Sequence, residues 1–312
     1  MRLPVPAFLI GLLLALASPA VAQGTGGQPA EPADTLLVRK LEQAVRGFGG
    51  EVGVYVRHLP SGRMAAVDAD TLFPTASLVK VPLLLALHAR VAEGALDLEA
   101  IQRRPAELEY RYVEATDVVG YMATGDSLPL RELAFLMLTV SDNVASLWIQ
   151  ALVGGGGWVN GWLDRHGFEH TRVNSRTPGR DSARTRYGWG QTTPREIARA
   201  LVMIREGRAV GPEASEQMYR MLTKSYWDGE ALSQIPPTVQ AASKQGFVDR
   251  ARSEVLLVNA PSGDYVLAVM TKNQRDTSYE PTNEGTTLIR RVSRLVWEHF
   301  EPDHPWRPPA TP

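Results

Sequence analysis

Strand-type alternation of apolar residues sits near the two ends of this chain, and the long stretch between reads as helix. Glu51–His58 alternates through Val52, Val54 and Val56, Pro60-Ser61-Gly62 supplies a turn, and residues 63–67 return as a second strand of a hairpin. The next strand patterns come only at 241–248, 254–260 and 265–271, the last two joined by the turn Pro261-Ser262-Gly263-Asp264. From about residue 76 to 221 the pattern is helical, interrupted at Pro105, Gly120, Gly125, the glycines 154–157 and a loop at 174–192. Leu36, Leu37, Leu41 and Val45 recur at helical spacing ahead of the first strand, with Gly49-Gly50 as the stop, and residues 285–300 form a closing helix. Five strands divided in this way predict an α+β fold: one antiparallel sheet with an all-helical lobe inserted between its strands. A cleft between two such lobes is the expected place for a site.

The flanks limit where that fold can lie. Arg2, the apolar run Phe8 to Ala17 and the small-x-small triplet Ala20-Val21-Ala22 have the form of a signal peptide cleaved after residue 22. An apolar run of about ten residues is about half a bilayer span. Residues 23–33, rich in Gly and Pro, predict a disordered leader, and 301–312 a flexible tail. The domain therefore covers 34–300, with an α/β lobe of 34–74 and 225–300 and a helical lobe of 75–224. The chain has no cysteine, which excludes disulfides, a thiolate nucleophile and lipid attachment at a processed terminus. With 33 Lys plus Arg against 34 Asp plus Glu, no net field draws it to nucleic acid or to an anionic membrane. The expectation is an exported monomer, in the periplasm or the medium, with no membrane anchor after processing.

Three short motifs carry chemistry. Ser77-Leu78-Val79-Lys80 opens an apolar helix, so serine and lysine share one face, where the lysine can serve as base. The helix N-terminus favours an ionised hydroxyl and a nearby oxyanion. Ser141-Asp142-Asn143 lies between helical runs, where capping alone would explain it. Lys244-Gln245-Gly246 lies in the third strand, and its glycine lets another backbone come close. A serine three before a lysine arises about once by chance in a chain of this length, so the first motif alone is weak. The six histidines show no metal-binding spacing, and neither a metal nor a cofactor is expected.

Taken together and in this order, 64 and then 103 residues apart, the motifs resemble the Ser-x-x-Lys, Ser-Asp-Asn and Lys-Thr-Gly set of the class A β-lactamases and penicillin-binding proteins. The resemblance implies a β-lactamase/transpeptidase-like fold with a five-stranded antiparallel sheet over about 34–300. It makes Ser77 the acylated nucleophile, Lys80 its base or proton carrier, and Ser141 the proton donor to the leaving nitrogen. Asn143 would hold the substrate amide, and Lys244 would turn positive charge toward the substrate carboxylate and toward Ser141. The backbone amides of Ser77 and Phe247 would form the oxyanion hole beside Gly246, and Tyr110 would be an aromatic wall of the cleft.

Two departures bear on turnover. The family's loop glutamate, which activates the water that frees the acyl-serine, has no counterpart: alignment of Thr171-Arg172-Val173 on the loop start puts Thr177-Pro178 at that position, and Asp181 is the only acid in 172–192. Glu107, Glu109, Glu114 and Asp117 are acids in other loops that could reach the cleft, but solvated surface positions are the stronger expectation for them. Gln245 stands in place of threonine, a longer amide that can still donate to a substrate carboxylate. The reading is a serine hydrolase that opens β-lactam amides through acyl-Ser77, with a D-alanyl-D-alanine carboxypeptidase or esterase as one alternative. The other is a covalent binder of β-lactams or peptidoglycan stem peptides with little turnover.

Overall fold

The computed structural model describes Met1, residues 32–106, 108, 110 and 113–308. The expected signal peptide and most of the leader lie outside the described residues, as do Glu107, Glu109 and the last residues of the tail. In chain order the elements are α1 (Thr35–Val45), β1 (Glu51–His58), β2 (Met64–Val67), β3 (Phe73–Pro74), a 3₁₀ turn (Ala76–Val79) and α2 (Lys80–Ala92). Then follow β4 (Ile101–Arg103), a 3₁₀ turn (Val118–Tyr121), β5 (Ser127–Pro129), α3 (Leu130–Thr139), α4 (Asn143–Leu152) and α5 (Gly155–Arg165). Next come β6 (Arg172–Val173), α6 (Asp181–Tyr187), β7 (Gly190–Thr192), α7 (Pro194–Arg205) and α8 (Pro212–Leu222). After a 3₁₀ turn (Leu232–Gln234), β8 (Ala241–Val248), β9 (Ala251–Val258), β10 (Tyr265–Lys272) and α9 (Glu284–Phe300) complete the chain.

The main sheet has the order β2-β1-β10-β9-β8 and is antiparallel throughout, so strands from both ends of the chain meet at the β1–β10 pair. Each face carries its own apolar cluster, because strand residues alternate in direction. Leu256, Val258 and Leu267 face α1 and α9 with Leu37, Leu41, Leu288 and Trp297. Val255, Leu257 and Val266 face the other way, toward α2 and α7 with Leu84, Leu87, Ile197 and Leu201. α2 is buried on nearly every side, including Lys80 at its first position, so its apolar sequence reflects a central place in the core.

Three boundaries differ from the sequence expectation. β9 begins at Ala251, because the β8–β9 hairpin turns tightly at 249–250 and extends the ladder to the pair Val248↔Ala251. Pro32 and Ala33, placed in the disordered leader, pair instead with the edge strand β2: Pro32 O accepts from Met64 N at 2.9 Å, and Ala33 bridges Met64. Asp34 then caps α1 through Leu37 N and forms an ion pair with Arg63 at 2.7 Å. At the other end, the start of the tail is held where Trp297 Nε1 donates to His304 O at 2.9 Å.

Candidate active site

The nucleophile turn is built by short hydrogen bonds on two sides. Thr75 N donates to Gly190 O at 2.9 Å, which ties the turn to β7, and Leu78 N donates to Thr75 O at 2.9 Å. Between them Ala76 takes a left-handed φ of +44°, a strained conformation for a residue with a Cβ, and this sets Ser77 at the head of the 3₁₀ turn that continues into α2. One helical turn on, Lys80 Nζ donates to Ser77 Oγ at 3.0 Å.

The same ammonium gathers the second motif. It donates to Ser141 Oγ at 2.9 Å, to Asn143 Oδ1 at 2.9 Å and to the carbonyl oxygen of Ser141. Ser141 can turn both groups toward Lys80 because it too is left-handed, at φ +65°, in the three-residue link between α3 and α4. Asp142 points away and caps α4, accepting from Ala145 N at 2.7 Å and Val119 N at 2.8 Å. Asp117, expected as a surface acid, is fully buried: its carboxylate accepts from Asn143 N at 2.6 Å and Glu114 N at 2.8 Å. It braces the Ser141-Asp142-Asn143 link from outside, whereas Glu114 is exposed as expected.

Burial lowers Lys80 to a pKa of about 7, against the opposing pull of Asp117, Asp142 and Glu114. A lysine that is neutral half the time at neutral pH can accept the proton of a bonded serine. Among the described residues no carboxylate hydrogen-bonds to it.

The third motif forms the opposite wall. A Cβ on Gly246 would lie 2.5 Å from Thr75 O and 2.9 Å from Leu78 N, so only glycine lets β8 press against the nucleophile turn. Lys244 is fully buried, and its ammonium donates to the carbonyl and to Oε1 of Gln245, each at 3.0 Å. The resemblance had turned this ammonium toward Ser141. Gln245, whose longer side chain reaches back round the edge strand, takes it instead. Burial and the nearby Lys80 hold Lys244 well below the ordinary lysine range. Phe247 follows at the mouth, with the guanidinium of Arg252, its cross-strand partner, 5.3 Å from its ring and 4.6 Å from the ring of Tyr279. Arg252 was not singled out in the sequence, where a charged residue in a strand has no distinguishing signal.

Tyr110 packs edge to face on Trp189 at 5.6 Å, joining its loop to the segment before β7. The loop that follows β6 supplies no acid to the site. Thr177 is buried with its hydroxyl on Ser175 O at 2.9 Å, and it lies against the Gly156 backbone of α5. Asp181, at the start of α6, is exposed. The neck of this loop is closed by Arg180, which donates to Asn174 Oδ1 at 2.8 Å and Gln191 Oε1 at 2.9 Å.

Comparison with known proteins agrees with this geometry. The sequence model of the β-lactamase enzyme family matches residues 36–300. The structure of PBP-A is similar at 28% identity with a TM-score of 0.77, over 88% of this chain and 99% of that one, and a mutant of PBP-A has been solved as an acyl-enzyme complex with penicillin G. A β-lactamase from Sphaerobacter thermophilus DSM 20745 is similar at 26% identity with a TM-score of 0.76, over 87% of this chain and 100% of that one. An ancestral class A β-lactamase is similar at 25% identity with a TM-score of 0.71, over 84% and 99%. The chain thus belongs to the β-lactamase enzyme family and is a serine hydrolase of the class A β-lactamase and penicillin-binding protein type.

Proposed function

We propose that this exported enzyme opens β-lactam amides through an acyl-Ser77 intermediate and releases the acyl group slowly. The observation that carries the reading is Lys80, bonded to both Ser77 Oγ and Ser141 Oγ without a carboxylate among its described partners. Neutral Lys80 takes the proton of Ser77 as Oγ attacks the amide carbon. The oxyanion that forms lies at the backbone amides of Ser77 and Phe247. When the tetrahedral species collapses, Ser141 gives its proton to the departing nitrogen and is reprotonated by Lys80. Asn143 and Tyr110 line the acyl side, and Lys244 with Gln245 receives the substrate carboxylate. Hydrolysis of the ester then needs a base for water, and the loop that supplies one in the family holds only Asp181 here, which is exposed.

Intact-mass measurement with benzylpenicillin tests this reading. One acyl group per chain in the wild type and none in Ser77→Ala supports it, and labelling that persists in Ser77→Ala refutes it. A second reading, a D-alanyl-D-alanine carboxypeptidase on peptidoglycan stem peptides, draws support from the same missing loop acid. Release of D-alanine from a peptide ending in D-alanyl-D-alanine would favour it. We further propose that the enzyme acts as a monomer without a membrane anchor, in the periplasm or the medium.

A further inference from the structure

The wall of the cleft beyond Gly246 is supported from one side only. β8 is the edge strand of the main sheet, and after Phe247 its ladder with β9 has one further pair, Val248↔Ala251, before the exposed tip Asp249-Arg250. The end of such a hairpin opens locally unless something behind it holds it. Arg252, opposite Phe247, lies there: it has the parity of Leu256 and Val258, which puts both side chains on the α9 face of the sheet, away from α2. The backbone of Arg252 turns to β10, its N donating to Thr271 Oγ1 at 2.8 Å and its carbonyl accepting from the same hydroxyl at 3.0 Å. By the alternation of antiparallel pairs, Phe247 therefore turns its own amide to the free edge, where the cleft lies.

Arg252 is 1% exposed, and among the described residues the hydrogen bonds of its guanidinium go to backbone carbonyls alone. One nitrogen donates to Val248 O and to Ala251 O, the other to Ser278 O, while the rings of Phe247 and Tyr279 lie against it at 5.3 and 4.6 Å. One side chain thus joins the hairpin end to the loop between β10 and α9, two segments that are not neighbours in the sheet. Two further bonds join the same segments: the Tyr279 hydroxyl donates to Asp249 Oδ1 at 3.0 Å, and Gln274 N donates to Arg250 O at 3.2 Å. The loop is in turn fixed on α9, because Asp276 accepts from Ser278 N at 2.9 Å and from Glu284 N at 3.0 Å, and Asn283 donates to Ser278 O at 2.9 Å. A Cβ on Gly285 would lie 2.8 Å from Arg252 Cγ, so glycine at the second position of α9 lets the helix close over the arginine stem. On the opposite face Gly246 fits against Thr75 O and Leu78 N, and any shift of the hairpin end moves Phe247 relative to the turn that carries Ser77.

We propose that Arg252 and Tyr279 are positioning residues for acyl transfer: they latch the β8–β9 hairpin to the loop before α9 and so hold the Phe247 amide where the oxyanion forms. The catalytic consequence rests on the function proposed above, whereas the latch does not, and the test keeps the two apart. Arg252→Met keeps the stem and removes the donors and the charge. Tyr279→Ala removes a mostly exposed ring, so it reports even where the first variant folds poorly. Amide hydrogen exchange at Val248 and Ala251, the last ladder pair, measures the latch. Single-turnover acylation by benzylpenicillin and by its methyl ester, which has no carboxylate, measures the consequence. Exchange at both amides should be faster by about tenfold in each variant. The acylation rate constant should fall by about 10–10²-fold, equally for acid and ester, with the dissociation constant of the substrate within about threefold of the wild type. Arg252→Lys keeps the charge without the planar fork and should restore neither. Unchanged exchange in both variants would overturn the proposal. A loss confined to the acid and absent with the ester would overturn it too, by making Arg252 a ligand of the substrate carboxylate. No acylation of the wild type by either compound would refute the functional reading and leave the exchange measurement to decide the latch.

Discussion

Lys80 Nζ lies 3.0 Å from Ser77 Oγ, and the bond is made by an amine that burial has lowered to a pKa of about 7. The base must be neutral to accept the serine proton, so the acylation rate should rise with pH through about 7 and level off above it. Lys80→Arg keeps a donor but stays protonated, and should slow acylation by about 10²–10⁴-fold. Stopped-flow acylation across pH 5.5–9 measures both. A flat profile, or an arginine variant within a few-fold of the wild type, would place the base elsewhere.

The same lysine should cost the fold stability. Its folded pKa lies below the 10.5 of an exposed lysine, so between pH 7 and 10.5 the unfolded chain binds more protons than the folded one, and stability rises with pH across that window. The cost is complete below pH 7 and gone above 10.5. Lys80→Met removes the buried amine and should stabilise the protein at pH 7 by about 1–4 kcal/mol while abolishing acylation. Urea melts at pH 7 and pH 9.5 check this: the gain should shrink at the higher pH, and a destabilised Met variant would contradict the assignment.

Asp117 offers a way to move the base without touching it. It accepts from the amides of Asn143 and Glu114, and its negative charge raises the pKa of Lys80. Asp117→Asn should therefore lower the midpoint of the acylation profile, since the lysine loses part of what favours its ammonium form. Loss of a charge-assisted bond to Asn143 N should also cost about 1–3 kcal/mol of stability. A midpoint that does not move would show that the field of Asp117 does not reach Lys80.

Gly246 tests the other wall. An alanine Cβ would meet the Thr75 carbonyl at 2.5 Å, and a backbone atom cannot swing aside as a side chain would. β8 must retreat from the nucleophile turn and take the Phe247 amide with it. Gly246→Ala should reduce acylation by about 10²-fold at a stability cost of about 1–3 kcal/mol. Rates within threefold of the wild type would show that the strand and the turn are not in register for an oxyanion.

The motifs were legible in the sequence because each carries its chemistry in three or four consecutive positions, and the strands because half-buried alternation has a period that the eye can count. Ser77, Lys80, Ser141 and Asn143 accordingly meet in the structure. Asp117 was not legible, because an aspartate in a polar loop looks the same whether it caps a distant amide or faces water. The turn of Lys244 toward Gln245 was hidden for a related reason: it depends on a side chain reaching round the edge strand, and spacing does not record rotamers.

On the function proposed above, the loop after β6 decides how the reaction ends. On the sequence reading, position 177 stands where the family has its water-activating acid, yet Thr177 points its hydroxyl to Ser175 O and packs on the backbone at Gly156, while the acids that act on Lys80 are Asp117, Asp142 and Glu114. A positioned general base is commonly worth 10²–10⁴-fold, so deacylation should be slower than in a typical class A enzyme by about that factor, and acyl-Ser77 should accumulate as a stoichiometric burst. Restoring the acid by Thr177→Glu alone should not bring turnover back. The new carboxylate would start from a buried position against α5, and escape from that contact requires the Arg180, Asn174 and Gln191 neck to open. The expected result is a lower melting temperature with the burst unchanged. Rapid-quench mass spectrometry of both proteins with benzylpenicillin separates the outcomes: fast steady-state hydrolysis without a detectable acyl-enzyme in the wild type would reveal a base from another loop, and full turnover in Thr177→Glu would show that residue 177 swings into the cleft once the serine is acylated.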